Sequence, residues 1–184
     1  MPEARKQEIG QPVLPFRLPL LDGGGSRSLE EVLVGKRGAL ITFWSSVCSH
    51  CVRYDRYFNG FAQAHPELGF TAIASRVNET AAQMLSAMHE RGLSFPILLD
   101  HGGTVARLWY SQQTPRCYLI DPDLRLMYRG AIDNFRMPRE REYVAWLEPA
   151  ITSFLAGETI ARPETASFGC AIETVYFQLP PQLS

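Results

Sequence analysis

Apolar residues along this chain fall into short runs with two distinct spacings. Ala39 to Trp44 is an almost unbroken apolar, β-branched and aromatic run between the turn Gly35-Lys-Arg-Gly38 and the polar pair Ser45-Ser46, which predicts a buried strand. Phe70 to Ala74 predicts the next strand. Between them, Tyr54, Tyr57, Phe58 and Phe61 recur at helical spacing, so a helix is expected from the Cys51 region to about Ala64, ended by His65-Pro66. Thr80 to Arg91 predicts a helix with Met84, Leu85 and Met88 inward and Gly92 as its stop. Phe95 to Asp100 reads as a short strand and turn, and Gly102 to Tyr110 as a short helix. Cys117 to Ile120 and Leu124 to Tyr128 predict a hairpin joined at Asp121-Pro-Asp. Pro138 to Leu155 predicts the last long helix, with Tyr143, Leu147, Ile151 and Phe154 on one face.

The N-terminal part is less regular. Residues 1–10 are polar and expected to be loose, and the three prolines of 11–20 allow an edge strand at most. Asp22-Gly-Gly-Gly is a turn, and Ser28-Leu-Glu-Glu31 has the capping-box pattern that opens a short helix, Leu29 to Leu33. The order βαβ, α, β-hairpin, α implies an α/β protein, with parallel strands from right-handed crossovers and antiparallel strands from the hairpin. The expected result is a mixed central sheet with helices on both faces. A length of 184 residues suits one domain. The divisions read as a flexible N-terminus (1–12), the domain (13–157) and a C-terminal extension (158–184).

Composition changes this picture little. A net charge of −1 offers no electrostatic case for nucleic acid or an anionic membrane. No stretch has the apolar length of a membrane span. The first residues lack the apolar core of a signal peptide, so a cytoplasmic location is expected, although an exported protein without its leader would read the same. Four cysteines do not make a disulfide-stapled scaffold.

The candidate chemistry lies where the first strand gives way to a helix, at Cys48-Ser-His-Cys51. A sulfur at a helix start meets free backbone N–H groups and the positive end of the helix dipole, both of which favour a thiolate. Cys48 is therefore the candidate attacking sulfur, and Cys51, one turn on, the candidate resolving sulfur within disulfide reach. A zinc site would need a second ligand pair. Cys117 and Cys170 are isolated, and His65, His89 and His101 form no ligand-spaced pair, so no metal or other cofactor is expected. Cys117 reads as a buried strand residue. Cys170 is either a third redox sulfur reaching the site or a tail residue packing on the sheet, with the second preferred.

Phe43-Trp44-x-x-x-Cys48-x-x-Cys51, Phe95-Pro96 with Leu99-Asp100, and Thr114-Pro115 with Leu119-Ile120-Asp121 recur in an order that resembles the thioredoxin-like superfamily on its redoxin branch. His50, Tyr128-Arg129-Gly130 with Asp133, and Gly169-Cys170-Ala-Ile172 resemble its AhpC/TSA, peroxiredoxin-like members. The resemblance implies a thioredoxin-like fold and thiol-disulfide oxidoreductase activity. The partners would be a protein or small-molecule disulfide and a thiol electron donor or acceptor.

The resemblance also implies supporting roles. Trp44 belongs to the motif. Thr114-Pro115 would carry a cis peptide and face the sulfurs. His50 would help hold the Cys48 thiolate, or be a solvated turn residue. Arg116 would lie near the thiolate, or simply at the surface, which is slightly preferred. The chain also departs from the pattern. Val47 stands where an aromatic is common, Thr42 where thioredoxin keeps a buried acid, and Tyr54 where some reductases keep a glutamate. A thiol peroxidase is the alternative, poorly matched because Ser45 and Ile41 stand at its Thr and Pro positions. A copper-handling module using His89 or His101 is a further alternative.

Overall fold

The computed structural model describes residues 7–135 and 142–173. Strands β1 (Arg17–Pro19) and β2 (Ser26–Ser28) pair antiparallel across the glycine turn. Helix α1 (Leu29–Leu33) follows, with both reciprocal bonds of the Ser28–Glu31 capping box in place. Next come β3 (Gly38–Trp44), buried throughout, α2 (Ser49–Val52), α3 (Asp55–Ala64) and β4 (Leu68–Ala74). Helix α4 (Ala81–Arg91) is capped by Thr80 and closed by Gly92 at φ +60°, a left-handed position that suits glycine. Then follow β5 (Ile97–Leu99), α5 (Thr104–Leu108), β6 (Gln113–Thr114), β7 (Arg116–Ile120), β8 (Leu126–Gly130), α6 (Leu147–Ala156) and β9 (Cys170–Ala171).

The central sheet runs β5-β4-β3-β7-β8. β3, β4 and β5 are parallel, and β7 and β8 antiparallel, so the sheet is mixed as expected. Strand alternation splits β3 between two cores. Leu40 and Trp44 pack with Phe58 and Phe61 of α3, Met84 of α4 and Ile151 of α6. Ala39, Ile41 and Phe43 pack on the other face with Leu29 and Val32 of α1 and Val105 of α5. Helices therefore cover both faces. No helix among the described residues is long and apolar enough to cross a membrane.

Three details differ from the expectation. The helix after Cys51 is broken at Arg53-Tyr54 into α2 and α3. There the Arg53 guanidinium lies 3.3 Å over the Phe135 ring, and the Tyr54 hydroxyl donates to Asp133 at 2.5 Å. The last helix starts at Leu147 rather than Pro138, which lies outside the described residues. Asn134 engages the Glu142 carbonyl and the Val144 N–H at 2.8 and 2.9 Å, so this backbone is held extended and Tyr143 is 64% exposed. Leu147 and Ile151 are buried as predicted. Third, residues 7–13 lie along the β7–β8 hairpin, with Gly10 N–H donating to Leu126 at 2.7 Å and Val13 N–H to Leu124 at 2.8 Å.

Candidate active site

The C-terminal end of β3 delivers the chain into Ser45-Ser46 and then the dithiol. Cys48 is the N-cap of α2, in extended conformation, and Cys51 is one turn further on. Both sulfurs are buried, but Val47, at 62% exposure, and Ser49 flank Cys48 at the surface, so its cover is shallow.

The surroundings push the two acidities apart. The Cys48 sulfur accepts hydrogen bonds from the Cys51 thiol first, and then from Cys170 and Thr114, which outweigh desolvation and hold it well below an ordinary thiol. When protonated, Cys48 donates instead to the Thr114 carbonyl at 3.2 Å. Burial, and then the bond given to Cys48, raise the Cys51 thiol. One sulfur is thus prepared to ionise while the other keeps its proton. Since α2 has only four residues, these local donors matter more than its dipole.

The Thr114–Pro115 peptide is cis, and it brings the Thr114 backbone against Cys48. Trp44 is wholly buried, edge-on to Phe95 at 6.4 Å with the Arg91 guanidinium 5.4 Å from its ring, and forms the floor beneath the dithiol. His50 is half-buried on α2 and is not among the main groups holding the Cys48 sulfur. Arg116 lies 5.9 Å over the Tyr118 ring. Alternation along β7 puts that ring on the face opposite Cys117 and the dithiol, so Arg116 is not brought to the thiolate. Cys117 is buried beside Thr42 at 3.6 Å, and burial pushes its thiol up to about 12. Cys170 is half-buried and packs against the core, and its strand β9 pairs with β6, which sets Cys170 opposite Thr114, whose carbonyl faces Cys48.

Two positioning residues escaped the sequence reading. Buried Glu79 accepts from the Ser45 hydroxyl and, at 2.8 and 2.6 Å, from the N–H and hydroxyl of Ser46, so it clamps the loop before Cys48. Arg91 bonds both carboxylate oxygens of Asp55 at 2.7 and 2.6 Å and the Ser46 carbonyl at 2.8 Å, tying α4, α3 and the same loop together. Both lie more than thirty residues from that loop. Neither carries a local signal. Among the described residues, no group of three or more His, Cys, Asp or Glu could hold a metal ion.

A five-stranded mixed sheet that presents a Cys-x-x-Cys opposite a cis-proline loop defines a thioredoxin-like redoxin. Residues 9–129 match the AhpC/TSA family, and the chain belongs to that family. It is similar to the thiol-disulfide oxidoreductase ResA of Bacillus thuringiensis subsp. konkukian, 27% identical over 118 residues, 64% of this chain and 66% of that protein. It is also similar to the thiol:disulfide interchange protein DsbE of Escherichia coli, 26% identical over 75% of this chain and 74% of that protein. Among solved structures, a hypothetical protein from Sinorhizobium meliloti superposes with a TM-score of 0.81 at 26% identity, covering 92% of this chain and 96% of that one.

Proposed function

We propose that the chain is a thiol-disulfide oxidoreductase working through the Cys48–Cys51 couple, with protein or small-molecule disulfides as substrates. The observation that carries this reading is the placement of two sulfurs one helical turn apart, the first at the N-cap of α2 and 3.2 Å from the Thr114 carbonyl of the cis-proline loop. The Cys48 thiolate attacks one sulfur of a substrate disulfide. The substrate S–S bond breaks, and the departing thiolate takes a proton. The Cys51 thiol then loses its proton and attacks the Cys48 sulfur of the mixed disulfide, releasing the second substrate thiol. The protein is left as the Cys48–Cys51 disulfide, two electrons poorer, and an external thiol or dithiol reduces it again.

The relatives named as thiol-disulfide oxidoreductases support the same reading. A peroxidase is less well supported, because the Ser45 hydroxyl at its threonine position is committed to Glu79. Insulin reduction with a dithiol donor tests the proposal. Wild-type protein is expected to turn over and Cys48→Ser to be inactive. Undiminished turnover by Cys48→Ser would contradict it.

A further inference from the structure

Cys48 has no exposed surface, although it is the sulfur that must meet a substrate. What lies beside it is the chain's own C-terminal segment. β9 runs antiparallel to β6 in the register Thr114↔Cys170 and Gln113↔Ala171, and the Ile172 N–H continues the ladder to the Gln112 carbonyl at 2.8 Å. This is the strand addition expected of a docked substrate, made at the residue whose carbonyl faces Cys48. We infer that Cys170 is a third redox thiol of this site, held in the substrate-strand position so that it can resolve a mixed disulfide on Cys48.

The placement is built into the fold. A Cβ at Gly169 would lie 1.8 Å from the Thr114 carbonyl oxygen, so only glycine permits this approach. Ile172 is buried in the second core. Glu173 accepts from Arg76, with Nε at 3.2 Å, and Arg76 stands 3.8 Å from Glu79, the clamp of the Ser45-Ser46 loop. Upstream, the Thr165 hydroxyl bonds Tyr128 at 2.8 Å and accepts from the Ala131 N–H at 3.1 Å. Thr114 bridges the two cysteines, its hydroxyl donating to the Cys170 carbonyl at 3.5 Å and its carbonyl accepting from Cys48 at 3.2 Å.

The chemistry rests on the function proposed above. Cys48 attacks a substrate disulfide and forms Cys48–S–S–R. Cys170 gives up its proton and attacks the Cys48 sulfur. One S–S bond forms, one breaks, and the leaving RS⁻ takes the proton that Cys170 lost and departs as RSH. The Cys48–Cys170 disulfide ties the segment across the site until Cys51 attacks Cys48, frees Cys170 and completes the Cys48–Cys51 disulfide. Cys170 is the more accessible of the two resolving thiols, being partly exposed where Cys51 is fully buried.

The test uses the full chain as Cys51→Ser and as Cys51→Ser/Cys170→Ser. Each is reduced, given oxidised glutathione, quenched with an alkylating agent and mapped by mass spectrometry. The first variant is expected to end as a Cys48–Cys170 disulfide and the second to stop with glutathione on Cys48. The glutathionylated state should decay at least about tenfold faster in the first, given the high effective concentration of a docked thiol. Wild-type protein quenched during its first turnover should also yield a Cys48–Cys170 crosslinked peptide, which guards against a folding defect in the variants. Equal persistence of glutathionylated Cys48 in both variants, with no such crosslink in wild type, overturns this inference and leaves the proposed function standing. Failure of Cys48 to take up glutathione in any of the proteins overturns both.

Discussion

Sulfurs that share one set of hydrogen bonds compete for the same charge, and at this site Cys48 wins it. Its donors, Cys51 first, lower its pKa, while burial raises that of Cys51. Ultraviolet thiolate absorbance of the reduced protein should therefore be present at about pH 6, where an ordinary thiol of about 8.5 is protonated, and should vanish in Cys48→Ser. A band that grows only above about pH 8 would contradict this. A group whose folded pKa lies below its unfolded pKa stabilises the fold fully above the unfolded pKa, and the contribution is lost as pH falls through the folded one. Reduced wild type should then be more thermostable than Cys48→Ser at neutral pH by a margin that shrinks on acidification, as followed by melting temperature. The proximity of Cys48 and Cys51 was legible from Cys-x-x-Cys at a strand-to-helix boundary. The donors were not, because Thr114 and Cys170 reach Cys48 only through tertiary pairing.

Between elements, the loop before the dithiol is held from α4 and from the turn that precedes it. Glu79 satisfies two hydroxyls and one N–H of Ser45-Ser46 in a buried setting. Glu79→Ala should cost about 1–3 kcal/mol, read from the denaturant midpoint, because it leaves buried donors unpaired. Glu79→Gln, which keeps an acceptor, should recover part of this. Equal midpoints for Glu79→Ala and wild type would remove the clamp from the account. Docking of β9 depends on the missing side chain at Gly169. Gly169→Val should displace the segment and speed alkylation of Cys48 by iodoacetamide, and an unchanged rate would show that the segment does not limit access. The long elements were readable from period, since β3 and β4 are buried throughout and α3 and α4 bury Phe58, Phe61 and Met84, with Tyr57, Leu85 and Met88 partly buried against the same core. The break between α2 and α3 and the late start of α6 were not. Asp133 and Phe135, far along the chain, engage the first, and the side-chain bonds of Asn134 to the Glu142 and Val144 backbone accompany the second.

For the whole molecule, the dithiol stands on a floor of aromatic side chains. Phe58 stacks on Phe70 at 5.4 Å and 13° and meets Phe95 at 5.9 Å, and Phe95 in turn meets Trp44. Phe58→Ala should cost about 3–5 kcal/mol in equilibrium unfolding, as a cavity in a close-packed core. A loss well below that range would mean the floor collapses to fill the space. The mixed sheet with helices on both faces was legible because alternating strands and helices imply parallel crossovers and the hairpin adds antiparallel strands. Docking of the C-terminal segment across the site was not, since a two-residue strand carries no periodicity. The central claim is that Cys48 and Cys51 form a redox couple whose reduced form is stabilised by an ionised Cys48. The most direct measurement is the reduction potential of that couple, titrated against glutathione with the disulfide mapped by mass spectrometry. A Cys48–Cys51 disulfide with a potential above thioredoxin's value of about −270 mV is the expected result. A more negative potential, or no disulfide between these sulfurs, would contradict it.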